Sequence, residues 1–189
     1  MKATELLKQQ HREVKELFRK LEKTRDGNGR REIMASIADS LQGHMALEEE
    51  IFYPALREAT QSKSGQEMIP EAYEEHHVVK LVLDELPDVD PRDERFEAKM
   101  TVLEELIEHH VEEEEKEMFK TAEKQLGSEE LERLGNLMAD ELRLEAGDED
   151  EEDDADDDEE DEDEGDEYEL EDEEAEEDER GSGTRGRRR

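Results

Sequence analysis

Two stretches of this chain, HMALEEEIFYP from His44 and HVEEEEKEMF from His110, set a glutamate four residues after a histidine within a run of helically spaced apolar residues. Residues four apart lie one turn along the same helix face, so His44/Glu48 and His110/Glu114 each aim an imidazole and a carboxylate at a common core. Buried polar groups of that kind are costly unless each finds a partner or a cation. The fold therefore has to bring helices together around a polar layer.

Charge sets the domain limits. The 189 residues carry a formal net charge of −38, and the excess is concentrated: Asp148 to Arg180 holds 27 acidic residues among 33 positions and a single base, Arg180. Such a block repels itself and has almost nothing apolar to bury, so it is expected to be a disordered, strongly acidic tail, residues 148–189, ending in the basic RGRRR. Residues 1–147 keep 37 acids against 21 Lys and Arg, which leaves a domain of ordinary size with enough apolar residues for a core.

Absence of cysteine removes disulfides, iron–sulfur clusters and zinc ribbons and confines any metal to nitrogen and oxygen ligands. MKATELLKQQ meets charge too early for a secretory leader, and no run approaches the roughly 18 apolar residues of a membrane span. A cytoplasmic protein without a membrane partner is the expectation. Strong negative charge also argues against nucleic acid, whose phosphates are bound by Lys and Arg.

Apolar residues recur at three- and four-residue spacing with no strand-like alternation, which predicts an all-α domain. The first helix is expected from about Thr4 to Thr24, ended by the turn signal DGNG, with Leu7, His11, Val14, Phe18 and Leu21 inward. A second should run from about Arg31 to Glu58 with Ile37, Leu41, His44, Glu48, Ile51, Phe52 and Leu56 inward, bent near Pro54. SKSG breaks the pattern, and a third helix follows Pro70 through Tyr73, His76, Val79, Leu83 and Leu86 to Pro87. The fourth spans about Glu94 to Gln125, with Val102, Leu103, Leu106, Ile107, His110, Glu114 and Phe119 inward. A shorter fifth runs from Ser128 to about Leu144, closed by Gly147. Short turns between long amphipathic helices give an up-down-up-down four-helix bundle.

Each long helix brings a histidine to, or beside, its stripe: His11, His44, the pair His76/His77 and the pair His109/His110. A pair of divalent cations is the economical partner for so many converging polar groups. Taken alone, His11 reads as an ordinary core or boundary histidine; the set of four makes it a ligand candidate. Helical phase favours Glu114 with His110 and leaves Glu112, Glu113 and Glu115 to solvent, His109 with Glu113 being the alternative register. His76 shares spacing with Tyr73 and Val79, but Tyr73 and His77 are also four apart, so both stay open.

At these residues the chain resembles the hemerythrin-like HHE cation-binding family, through HREV, HMALEEEIFYP, EEHHVV and HHVEEEEKEMF in that order over nearly all of residues 1–145. The resemblance implies His11, His44, Glu48, His76, His110 and Glu114 as metal ligands. It departs from oxygen-carrying hemerythrins, which have an H-x-x-x-H pair on the third helix and an aspartate on the fourth; here Tyr73 stands four residues before His77. Simple oxygen storage is thereby disfavoured against redox, sensing or iron-handling roles.

Imidazole and carboxylate ligands suit two iron ions, with Mn or Zn as substitutes. Three functions compete: a non-haem di-iron protein meeting O2, NO or peroxide; a di-iron oxidase or peroxide-decomposing enzyme, in which Tyr53 or Tyr73 supplies a phenol, each tyrosine otherwise being core packing; and a non-catalytic metal-buffering or interaction protein whose acidic tail meets a basic partner. Whether the chain is an enzyme is open at this level.

Overall fold

A computed structural model describes residues 1–60 and 63–146, and side chains over the same span except at residues 63, 64, 145 and 146. The expected acidic tail and its Gly147 boundary lie outside the described residues. Helices α1 (Ala3–Lys23), α2 (Gly27–Leu47), α3 (Tyr53–Ala59), α4 (Lys63–Glu85), α5 (Glu94–Glu113), α6 (Phe119–Gln125) and α7 (Gly127–Ala146) follow in order. A π turn, Glu48–Phe52, joins α2 to α3, and a second, Glu114–Met118, joins α5 to α6. The architecture is thus a helical bundle: α1, α2 continued by α3, α4, and α5 continued by α6, with α7 laid against α1 and α6.

Local chemistry sets the ends. The Asp26 carboxylate accepts the Gly29 N–H at 2.7 Å, which starts α2 at Gly27 rather than at Arg31. The glycines of DGNG therefore form a first turn instead of a loop. Asp93 caps α5 in the same way through the Arg95 N–H at 2.8 Å. Between α6 and α7 the chain passes through Gly127 at φ 76°, the left-handed conformation that glycine takes without strain.

Helix α4 begins at Lys63, not after Pro70, so the SKSG break was misplaced. Pro70 lies inside the helix, where its ring removes one backbone donor without ending it. The other irregularity is resolved by a side chain. In the first π turn the Tyr53 N–H reaches back five residues to the Glu48 carbonyl. The next donor in that ladder would be residue 54, but Pro54 has no N–H. Glu49 O, the carbonyl it would have met, accepts the Tyr73 hydroxyl at 3.0 Å instead.

The core is two apolar plugs with a polar layer between them. One plug holds Leu7, Phe52, Leu56, Ile69, Phe119 and, from α7, Leu131, Leu134 and Met138. The other holds Val14, Phe18, Ile37, Leu41, Val79, Leu83, Phe96 and Leu103. Val102, expected inward, is exposed, because Leu103 takes the buried position on that turn. Among the described residues no helix is long and apolar enough to cross a membrane.

Candidate metal centre

Between the plugs lie His11, His44, Glu48, His76, His110 and Glu114, each at most 7% exposed. Their positions follow from the register of each helix: His11 sits between buried Leu7 and Val14, His44 three residues after Leu41, and His76 three before Val79. The four imidazoles meet in two facing pairs, His11 Nε2 with His44 Nε2 at 3.2 Å and His76 Nε2 with His110 Nε2 at 3.1 Å.

The other nitrogen of each ring faces outward to an acceptor. His44 Nδ1 donates to Gln10 Oε1 at 3.0 Å, His76 Nδ1 to Glu49 Oε1 at 2.8 Å, His110 Nδ1 to Glu75 Oε2 at 2.7 Å, and His11 Nδ1 to Glu115 Oε1 at 2.9 Å. These contacts form a closed ring. Each histidine is held by the helix or π turn before it in the cycle, and the holding residue is the sequence neighbour of that element's own inward group: Gln10 beside His11, Glu49 beside Glu48, Glu75 beside His76, Glu115 beside Glu114. With its proton committed at Nδ1, a neutral ring presents a bare lone pair at Nε2.

Glu48 and Glu114 enter between the pairs, each from the first residue of a π turn. Glu48 Oε2 lies 3.3 Å from both His44 Nε2 and His76 Nε2; Glu114 Oε2 lies 3.3 Å from His11 Nε2 and 3.6 Å from His110 Nε2. The Tyr53 hydroxyl, fully buried, donates toward Glu114 Oε1 at 3.0 Å and Glu48 Oε2 at 3.2 Å. Glu48 Oε1 and Glu114 Oε2 are buried with no hydrogen bond.

Burial drives His44 down to about 3 although Glu48 opposes it. It acts in the same sense at His11 and His110, but there the adjoining carboxylates, Glu114 foremost, outweigh it and raise both, His110 well above the ordinary range. Burial works to raise Glu48, yet the charge of His44 and the hydrogen bonds of His110 and His76 bring it well down, while burial and the nearby Glu48 push Glu114 up. Burial and then both carboxylates raise Tyr53 well above a free phenol, so its proton stays on Oη.

This donor set fits a pair of cations. The four Nε2 atoms face one another in two close pairs, and two buried carboxylate oxygens have no hydrogen bond. Two imidazole nitrogens each about 2.1 Å from one ion stand roughly 3.0–3.4 Å apart, the range of both pairs here. Two donor groups emerge, His11, His44, Glu48 and Glu114 on one side and Glu48, His76 and His110 on the other, sharing Glu48.

Of the sequence alternatives, His77 is exposed and His76 buried in the cluster. His109 and Glu113 are exposed and stand 3.4 Å apart, outside the buried layer. Tyr53 is brought into the layer, whereas Tyr73 is half-buried on the Glu49 carbonyl. Glu115, expected in solvent, is instead half-buried on His11. The π turn rotates less per residue than an α-helix, so Glu115 stays on the side that Glu114 faces. Gln10, Glu49 and Glu75 were missed outright, and their adjacency to inward residues is the signal that points to them.

A helical bundle with imidazoles from α1, α2, α4 and α5 and carboxylates from the two π turns around a buried layer defines a cation-binding helical protein. The profile of the Hemerythrin HHE cation binding domain matches residues 2–122, and the chain belongs to that family, which makes it a metal-binding protein. The fold is similar to a crystal structure of a hemerythrin HHE cation binding domain-containing protein from Mycobacterium kansasii, with TM-score 0.68 and 28% identity over 78% of this chain and 88% of that one. Over 133 residues the chain is 27% identical to a DNA nickase from Nostoc, which is 70% of this chain but 37% of that relative, so it spans well under half of that protein.

Proposed function

We propose that this chain is a non-haem di-iron protein whose buried centre meets O2, NO or peroxide in sensing, redox protection or iron handling. The observation that supports it is the pairing of four inward imidazole nitrogens around two carboxylates with oxygens left free of hydrogen bonds. His11, His44, Glu48 and Glu114 would hold one ion and His76, His110 and Glu48 the other, with Mn or Zn as chemically permitted substitutes. Bound there, iron supplies redox chemistry and open coordination positions.

The chain's own groups shape what reaches it. A groove of about 400 Å³ opens beside His11, lined by Val14, Phe18, Ile107 and Val111 together with lysines and glutamates, and Val14, Ile107 and Val111 also line a void of about 10 Å³ over the four histidines. The inner void is about the size of one water molecule, so only small species fit over the histidines. Tyr53 holds its proton at Oη against Glu114 and Glu48. Anaerobic NO titration of the iron-loaded protein tests the reading: saturable spectral change at about one or two NO per chain supports it, and no change overturns it.

A second reading, a di-iron enzyme that decomposes peroxide, draws on the same buried phenol. Peroxide consumption by wild type that Tyr53→Phe abolishes would favour it, and consumption that survives the substitution would remove the phenol from the mechanism. The nickase activity of the Nostoc relative is not adopted, since a chain of net charge −38 offers phosphates little. Residues 1–147 are proposed as the metal domain and 148–189 as a separate acidic segment suited to a basic protein partner. Deleting 148–189 without loss of iron would agree with that division. A cytoplasmic location is proposed from the sequence alone.

A further inference from the structure

The buried layer has a second approach whose chemistry is unlike that of the groove beside His11. Between α4 and the α5–π-turn segment lies a cavity of about 80 Å³ lined by the carboxylates of Glu71, Glu75, Glu113 and Glu117 along an apolar floor of Met68, Ala72 and Met118, with buried Glu114 and His110 also on its wall. Glu71, Glu113 and Glu117 are exposed, Glu75 is half-buried, and Glu114 is 1% exposed with Oε2 free of any hydrogen bond. Carboxylates thus line the cavity from solvent to the buried Glu114.

At the outer mouth His109 adds a nitrogen. Its Nε2 lies 3.4 Å from Glu113 Oε1 and 3.7 Å from Glu75 Oε1, and these three side chains form a surface group able to hold a cation. Glu75 belongs to both places at once, since its other oxygen receives His110 Nδ1 at 2.7 Å. The groove beside His11 differs: Lys15 and Lys116 line it together with its acids and its apolar wall.

The geometry points to a cation entry route, in which a divalent ion is captured by Glu75, His109 and Glu113 at the surface and passes along the Glu71/Glu117-lined cavity to Glu114. This rests on the metal-centre reading above. Negative potential concentrated at a narrow mouth raises the local concentration of cations and hence their rate of arrival. Oxygen ligands on flexible glutamates suit a hard, exchangeable ion in transit better than a permanent resident. The mouth accordingly governs how fast the centre fills and not how much it holds.

The test is stopped-flow mixing of the metal-stripped full chain with excess Co2+, following the visible absorption of bound cobalt. Glu71→Gln/Glu113→Gln/Glu117→Gln should fill at least ten-fold more slowly than wild type and reach the same final absorption and stoichiometry. His109→Ala should slow filling to a smaller degree. Glu104→Gln/Glu108→Gln/Glu112→Gln, which removes equal charge at the groove beside His11, should fill at nearly the wild-type rate.

Equal slowing in both triple variants would mean that general surface charge, not this mouth, sets the rate, and would overturn the route. Unchanged filling in the first variant would overturn it as well. Failure of the wild type to take up cobalt or iron stoichiometrically would instead sink the metal-centre reading, and the route with it.

Discussion

The Glu49 carboxylate accepts His76 Nδ1 at Oε1, 2.8 Å, while Lys80 Nζ donates to both of its oxygens, Oε1 at 2.7 Å and Oε2 at 2.8 Å. The ring orientation of a buried imidazole on α4 is thereby fixed from the π turn after α2. Outer partners of ligating histidines fix tautomer and orientation and typically contribute 10–100-fold in metal affinity. Glu49→Ala should therefore weaken metal binding by about 10–100-fold while leaving the helical spectrum intact. Competition titration against a colorimetric chelator measures it, and unchanged affinity would show that the ring of outer contacts does not position the ligands.

Tyr53 is the hydroxyl shared by both buried carboxylates. Tyr53→Phe keeps the ring in its pocket and removes the only part that serves Glu48 and Glu114. In chelated protein this should cost about 1–3 kcal/mol in urea unfolding, the range for leaving a buried acceptor without its donor. A variant as stable as wild type would mean that the hydroxyl adds nothing to the metal-free fold.

Metal and protons compete for the same nitrogens. Binding requires Nε2 unprotonated, and neutral imidazoles begin to take protons below about pH 6. In the metal-free chain His110 and His11 have raised pKa values, so each stabilises the fold fully below its unfolded value and loses that contribution as pH rises through the folded one. His44, held down to about 3, acts oppositely and costs stability as pH falls below its unfolded value of 6.5. Metal stabilisation is thus largest at the alkaline end of the range, where fewest protons have to leave the imidazoles for metal to bind. The gap in melting temperature between loaded and chelated protein should narrow steadily from pH 8 to pH 5. A gap that stays constant, or no gap at any pH, contradicts metal ligation by these histidines.

Packing of α7 rests on a residue without a side chain. A Cβ at Gly135 would run into backbone at the start of α1, namely the Met1 carbonyl oxygen and the Ala3 nitrogen, and backbone cannot rotate away. Gly135→Ala should destabilise by about 1–3 kcal/mol, as other forced overpacking does. Thermal melts against wild type measure it, and an unshifted melt would show that α7 does not dock on α1 as described.

Much of this was legible in the chain itself. Leu7, His11, Val14 and Phe18 keep one face over three turns, whereas on the third helix the spacing of Tyr73 and Val79 leaves His76 and His77 both open, and burial of His76 decides between them. Both π turns were hidden, because a single wide turn shifts the apolar period by less than the scatter of a real stripe. Their consequence is that Glu48 and Glu114 each open a wide turn and that Glu115 reaches His11. The start of α4 was hidden for a different reason: Ser and Gly in SKSG weaken a helix locally, but buried Ile69 and Ala72 anchor the segment that follows.

The central claim is a dinuclear iron centre held by the buried layer, and it is tested most directly by metal analysis with an optical spectrum of anaerobically purified protein, before and after air. Wild type should contain about two irons per chain and gain near-ultraviolet charge-transfer absorption in air, and His44→Ala/His110→Ala should lose both while remaining helical. Wild type without stoichiometric metal, or a double variant that retains the iron and the absorption, would contradict the account.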